Sequence, residues 1–370
     1  MIVAVNVTSF ICGANHELLV DFLLRLAQKK IQHTFVFITN DSSTKLDHLT
    51  TGSKWVVSAP WLNQPFFWKL WYNSRLPGLV KKLGADVVIH AGGVCSMRGN
   101  FKQLVFTNEY FFPEKFIRLN ERSSNFFQKN IAGIISNADH IIVGSVALKS
   151  MLAATYKNTA VKVEALYPAV DELYSPADYF NKEATKEKFT EGKEYFLFSG
   201  IISGNESQVL NLFQAFSFFK KRQKSNMQLV LLAAQEDANH LVHKLRTYKY
   251  REEVKLITSA TEIEARNIMA AAYAFVHPLP GTAYPDFVLR AIQCGLPLIL
   301  ADSPANKEIA DSAALYVDPS NFMDIANNLM LVYKDEGIKT QLEEHAATIS
   351  NQLLDPSPEA TLWRIIASDE

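Results

Sequence analysis

The chain has 370 residues, 48% of them hydrophobic and 20% charged, with a net charge of −1 at pH 7. That length is too great for one ordinary core and suits two globular domains, and the charge balance supplies no global basic field to attract nucleic acid. The three cysteines, Cys12, Cys95 and Cys294, lie far apart without a CxxC pair, which argues against a disulfide framework or a zinc site. Ile2–Val7 heads the chain as a buried strand rather than a signal peptide, because no basic flank precedes the apolar run. Glu17–Lys30 has the period of an amphipathic helix, with Leu18, Phe22 and Leu26 on its apolar side. Thr34–Thr39 follows as a strand, and Val56-Val57 suggests a short one. Residues 65–83 are expected to be helical, bent near Pro77-Gly78. Their aromatics, with Trp61 ahead of them and Phe66, Phe67, Trp68, Trp71 and Tyr72 within, fit a core stripe better than an acceptor platform or a membrane-facing surface. Asp86–His90, Gln103–Thr107 and His140–Gly144 are three further strands.

A second cycle starts at the strand Tyr195–Ser199. A helix over 208–220, the strand Gln228–Leu232, a helix over 239–248, the strand Val254–Ile257, a helix over 262–271 and the strand Ala274–His277 follow. The stretch from His277 to Pro319 then has the pattern strand, helix, short turn, strand, helix, strand, with Gly295-Leu296-Pro297 at the turn. Strands alternating with helices predict parallel βαβ units, so the fold class is α/β with two doubly wound, Rossmann-like domains. The segment from Val163 to Phe189 shows no strand period, and the hinge is placed near Pro168–Ser175. The expected domains are 1–170 and 171–355, with 356–370 a C-terminal helix carrying Trp363, Ile365 and Ile366 for docking on the first domain. Ligands of such sheets sit at the carboxyl ends of the strands. This gathers the loops at Cys12–His16, His90–Gly93, Asn108-Glu109, Gly200–Ser207 and Pro280–Pro285 around one expected cleft. No run reaches the ~18 apolar residues of a membrane helix. The expected location is cytoplasmic, with peripheral contact at the inner membrane face left open.

Several of these segments resemble the group-one, family-four-like retaining glycosyltransferases of the GT-B fold. DVVIHAGG (86–93), LVFTNEYFFPE (104–114), ADHIIVGSVALKSML (138–152), YFLFSG (195–200), QCGLP (293–297) and AALYVDP (313–319) carry the resemblance over most of the chain. It implies transfer of a sugar from a nucleotide-sugar donor, which is a substrate and not a cofactor, to a saccharide or lipid-linked acceptor. The usual setting of the family is bacterial polysaccharide or glycolipid assembly. The family carries two glutamates seven residues apart that touch the donor; aligned here, those positions hold Thr282 and Arg290. The family also places an Arg and a Lys after the loop at Gly200, whereas no basic residue follows here before Lys220. These departures keep an alternative open: a catalytically weakened relative that binds a ligand or a partner enzyme, or self-associates.

A transferase must hold a diphosphate whose charge grows as the sugar leaves, using metal or fixed donors. No Asp-x-Asp sequence is present, so no metal is implied. Donor-binding candidates are Gly13, His16, Gly200, Ser203, Gly204, Asn205, Ser207, Thr282, Ala283, Tyr284 and Arg290; catalytic candidates are His90, Asn108, Glu109 and Asp286. Asn205 and Ser207 read equally as helix caps or as part of an anion cradle. Asp286 reads as a shifted carboxylate or as a charge at a helix N-terminus. Arg290 reads as a phosphate ligand or as an ion-pair partner of Glu308 or Asp302. His90 reads as a site residue or as a satisfied structural histidine.

Overall fold

The computed structural model describes residues 1–8, 16–40, 53–58, 65–111, 121–156, 162–167, 173–202, 205–279, 284–354 and 357–368. The chain divides into two units: Met1–Ala169 with Thr282–Tyr284 and Pro356–Glu370, and Val170–Gly281 with Pro285–Asp355.

The first unit holds a seven-stranded sheet of β1 (Ile2–Asn6), β2 (Thr34–Thr39), β3 (Ser53–Val57), β4 (Val87–His90), β5 (Lys102–Phe106), β6 (His140–Val143) and β7 (Lys162–Ala165), in the order β3-β2-β1-β4-β5-β6-β7. All neighbours are parallel. Alternate side chains serve opposite faces, as strand geometry requires. Ala4, Ile38, Val88, Val105 and Ile141 meet the helices on one face; Val3, Val5, Phe35, Phe37 and Ile89 meet those on the other. The second unit holds β8 (Tyr195–Ser199), β9 (Gln228–Leu232), β10 (Val254–Ile257), β11 (Ala274–His277), β12 (Leu298–Ala301) and β13 (Ala314–Val317), in the order β10-β9-β8-β11-β12-β13, again all parallel. In each sheet the strand order reverses at one point, between β1 and β4 in the first and between β8 and β11 in the second. Loops leaving such a switch point diverge and open a crevice at the carboxyl ends of the strands.

Two details differ from the sequence expectation. Strand β7 lies where no strand pattern is visible, because a short edge strand carrying Lys162 and Glu164 shows no apolar run. The helical stretch 65–83 is irregular at Trp71–Arg75, not at Pro77-Gly78: the Leu76 N–H reaches back five residues to the Trp71 carbonyl. Pro77 sits in the first turn of the next helix, where its missing N–H has no cost. Trp68, Trp71 and Tyr72 are buried in the core, while Trp61 lies outside the described residues. The hinge positions 168–172 also lie outside them.

The C-terminal helix Pro358–Ile366 belongs to the first unit. Leu362, Ile365 and Ile366 enter its core, and Trp363 packs against His33 at a ring distance of 4.5 Å. Glu359 lies 3.8 Å from Arg25 and 3.6 Å from Lys29, and Lys102 Nζ donates to the last helical carbonyls, Ile365 and Ile366, at 3.2 Å each.

Candidate functional site

Parallel register sets Asn6 beside His90 at the switch point of the first sheet. Both side chains are buried there, where hydrogen bonds must replace water. Asn6 Nδ2 donates to the Tyr72 hydroxyl at 3.3 Å and faces His90 Nδ1 at 3.4 Å, while its Oδ1 accepts from Thr8 at 3.0 Å. His90 Nε2 faces Gln103 Oε1 at 3.2 Å, so the ring is assigned as the Nε2–H tautomer accepting at Nδ1. Gln103 also accepts from Ser96 N at 2.8 Å and donates to Ser96 O at 2.9 Å and Asn137 O at 3.1 Å. Burial holds the His90 pKa down at about 3, with the Gln103 hydrogen bond opposing only in part. The catalytic candidate His90 is thus an enclosed neutral ring with both nitrogens engaged.

Asn108 is similarly engaged: its amide donates to Gly92 O at 3.1 Å, and its Oδ1 accepts from Tyr110 N at 3.1 Å. Gly93, at φ 75°, leaves room for it; a Cβ there would stand 2.7 Å from Asn108 Nδ2. The backbone of Glu109 starts a short 3-10 turn, but its side chain lies outside the described residues. Asn6, Thr8 and Gln103 escaped the sequence reading, which had Tyr72 only as one of the core aromatics. The available signal was a polar residue within an apolar strand, as in IVAVN and KQLVF.

The switch point of the second sheet is built around Gly200 and His277. His277 Nδ1 donates to Ser199 O at 3.0 Å, and the ring lies near-parallel to Phe198 and Phe275. Burial lowers its pKa to about 4. A Cβ on Gly200 would sit 2.8 Å from His277 Cε1 and 3.3 Å from Leu279 Cδ1, so only glycine lets β8 pass this close. The helix Glu206–Gln223 starts next with no side-chain cap. Asn205 instead donates to Ile201 O at 3.0 Å, and the Ser207 hydroxyl donates to Gln208 Oε1 at 2.8 Å. Asn205, at the N-cap position, thus makes no capping hydrogen bond with its side chain. The Gln208 and Val209 N–H groups turn back to Asn205 O at 3.1 and 3.2 Å, and the start of the helix carries the positive end of its dipole. Glu206 in that turn opposes an anion. Lys220 offers no help, because its ammonium is bound to the carbonyls of Ser225 and Met227 and lies 3.4 Å from Glu253.

Asp286 opens the helix Asp286–Gln293, and its Oδ1 lies 2.9 Å from Arg290 Nε one turn on. The charges touch without a well-aligned hydrogen bond. Arg290 also donates to the Tyr174 hydroxyl at 3.1 Å, and its guanidinium lies 4.9 Å from that ring's centre. Burial disfavours the Arg290 charge, but Asp286 and Tyr174 outweigh it and raise the pKa; burial pushes Tyr174 up to about 12. The expected partners of Arg290, Glu308 and Asp302, are replaced by Asp286, because i,i+4 spacing on one helix brings the charges together. Asp302 pairs with Lys307 at 2.7 Å.

Tyr284 is a second correction. Rather than lining a donor loop, it is buried in the first unit, where its hydroxyl donates to Ile142 O at 3.2 Å. His16 opens the helix His16–Lys29, but its side chain lies outside the described residues, as do Gly13, Ser203, Gly204, Thr282 and Ala283 entirely.

Residues 180–350 match the family described as "Glycosyl transferases group 1". The chain is 22% identical over 213 residues to the O-antigen chain mannosyltransferase RfbU of Salmonella typhimurium, covering 57% of this chain and 54% of that protein. It thus spans about half the length of this curated relative. Among solved structures, the sucrose-phosphate synthase of Thermosynechococcus elongatus superposes with a TM-score of 0.78 at 14% identity, covering 100% of both chains. Anabaena Alr3699/HepE, solved in complex with UDP and glucose, gives 0.76 at 14% identity, again over 100% of both. The fold is that of the GT-B glycosyltransferases. Within the matched residues lie Gly200, the helix Glu206–Gln223 and the Asp286–Arg290 pair.

The two buried histidines give the protein an acid-sensitive stability. An unfolded histidine binds its proton near pH 6.5, whereas the folded rings resist until about pH 3 at His90 and about pH 4 at His277. Between those limits the unfolded state holds more protons, so stability falls as pH drops. Each ring is expected to remove about 2 kcal/mol between pH 6.5 and pH 5. Urea unfolding at the two pH values checks this; equal midpoints would refute it.

Proposed function

We propose that the chain is a glycosyltransferase that moves a hexosyl group from a nucleotide-sugar donor to a saccharide or lipid-linked acceptor. Its setting in this reading is bacterial polysaccharide or glycolipid assembly at the cytoplasmic side of the membrane. The observation that carries the reading is the group 1 match across the strand–loop–helix turn at Gly200–Glu206. The printed names of RfbU and of the UDP- and glucose-bound HepE support the donor and acceptor classes. In the reaction, the bond from the sugar's anomeric carbon to the diphosphate breaks. A bond to an acceptor hydroxyl oxygen forms, and the acceptor proton leaves to a base. The positive end of the helix beside Gly200 would face the charge growing on the departing nucleoside diphosphate. Retention of anomeric configuration is part of the proposal, checked by NMR of the first-formed product.

One observation favours a second reading, a binding subunit of weakened catalytic power. Arg290, in the position of a family carboxylate, has its charge compensated by Asp286. Incubation with UDP-, GDP- and ADP-sugars, followed by calorimetry and release of nucleoside diphosphate, separates the two. Turnover supports the transferase, binding without turnover supports the subunit, and no binding of any donor removes both. The transferase reading further expects Asp286→Asn to tighten donor binding about three- to tenfold by freeing the Arg290 charge for phosphate. Unchanged affinity would make the pair purely structural.

A further inference from the structure

The end of the helix Glu206–Gln223 and the turn after the helix Gln235–Arg246 lie side by side at the amino end of the second sheet, where β9 and β10 begin. Ser217 Oγ donates to the Tyr248 hydroxyl at 2.8 Å, that hydroxyl donates to Phe213 O at 2.7 Å, and Lys220 lies 3.4 Å from Glu253. Lys221 stands one turn beyond Ser217 on the same flank, and Lys224 ends the helix. Exposed cations gather here from both segments: Lys221, Arg222 and Lys224 from one, Lys244, Arg246 and Lys249 from the other. No acidic residue occurs between Ser207 and Gln235 or between Ala238 and Arg251. The two nearest carboxylates in sequence are engaged, Glu253 by Lys220 and Glu252 by Arg251 at 3.0 Å. Among the described residues none of the six cations has a carboxylate within ion-pair distance. Helix dipoles favour cations in the last turns, but Lys249 lies outside any helix.

The surroundings of these charges select the occupant. A membrane or an apolar protein surface needs outward apolar anchors, and among the described residues neither segment exposes a large apolar side chain. A single-stranded nucleic acid needs open aromatic faces, whereas Arg222 lies over Phe218 and Lys249 over Tyr250, each at 5.2 Å. The same stacking holds two of the cations in place. Asn226 and Thr247 are exposed among the charges and add an amide and a hydroxyl. A polymer carrying carboxylates and hydroxyls together matches that mixture, with guanidinium forks on the carboxylates and neutral polar groups on the hydroxyls. We propose that this patch binds an acidic saccharide chain, a uronate-bearing form of the acceptor, at the end of the second sheet opposite the turn at Gly200. The inference rests on the saccharide-acceptor reading above and adds to it a second holding site for the chain.

Calorimetric titration with oligogalacturonate tests this, with neutral dextran and oligodeoxythymidylate of similar length as references. Oligogalacturonate is expected to bind and to weaken with added salt, the oligonucleotide to bind more weakly, and dextran not to bind. The combined variant Arg222→Ser, Lys224→Ser, Arg246→Ser should lower oligogalacturonate affinity roughly thirtyfold, about threefold per exposed charge. The charge-matched variant Arg75→Ser, Lys81→Ser, Lys82→Ser in the first unit should leave it unchanged. All six side chains are exposed, and unchanged urea midpoints are expected to confirm that both variants fold. No oligogalacturonate binding, equal binding of dextran, equal or tighter binding of the oligonucleotide, or an equal loss in the two variants would each overturn the proposal. The titration contains no sugar donor, so its failure leaves the transferase reading untouched, and failure to bind any nucleotide sugar leaves its result unaffected.

Discussion

Gln103→Leu is expected to destabilise the first unit by about 3–5 kcal/mol, at a cost of about 1–3 kcal/mol for each buried polar group left unmatched. Gln103 is buried inside β5 and serves four partners: His90 Nε2, the amide and carbonyl of Ser96, and the carbonyl of Asn137. Leucine matches its bulk and none of its hydrogen bonds. All four partners belong to a closed network, so their losses reinforce one another. Water entering the site would recover part of the loss, which sets the expectation below the simple sum. The Ser96 loop and the end of the helix Glu121–Asn137 lose a common tether, so amide exchange should rise at both. Urea denaturation followed by circular dichroism gives the measurement. A loss below about 1 kcal/mol would mean that the network is dispensable.

Gly200→Val should lower the stability of the second unit by about 3 kcal/mol and abolish donor binding, because overpacking a filled core costs about 1–3 kcal/mol and the two added methyls worsen the clash. The first added carbon alone would stand 2.8 Å from His277 Cε1. The ring cannot retreat: its Nδ1 is held by Ser199 O, and Phe198 and Phe275 lie alongside it. Strain would pass instead into the turn that sets the first N–H groups of the helix Glu206–Gln223. Gly200→Ala should show a smaller loss of the same sign. A valine variant with an unchanged urea midpoint would show that the backbone yields freely there.

Where strands are buried on both faces, continuous apolar runs made them legible. Thr34–Thr39, Tyr195–Ser199, Gln228–Leu232 and Ala274–His277 have the bounds read from the sequence. The edge strand Lys162–Ala165 was not legible, because charged residues interrupt its pattern. Within the candidate sites the same division holds. The pairing of Asp286 with Arg290 follows from i,i+4 spacing, yet the sequence reading sought more distant partners for the arginine. Tyr174 gave no local sign that it would receive the guanidinium.

The sequence by itself determined the alternation of strand and helix, the glycine that closes the turn after β8, and the absence of carboxylates at 282 and 290. Each is a property of one segment or one position. Only the tertiary structure decided which polar groups meet: Asn6 with His90 across 84 positions, and Arg290 with Tyr174 across 116. Those meetings depend on strand register and helix packing, which no local spacing encodes. The same packing turned His90 from a catalytic candidate into a buried neutral ring, since desolvation arises only when the surrounding layers close around it.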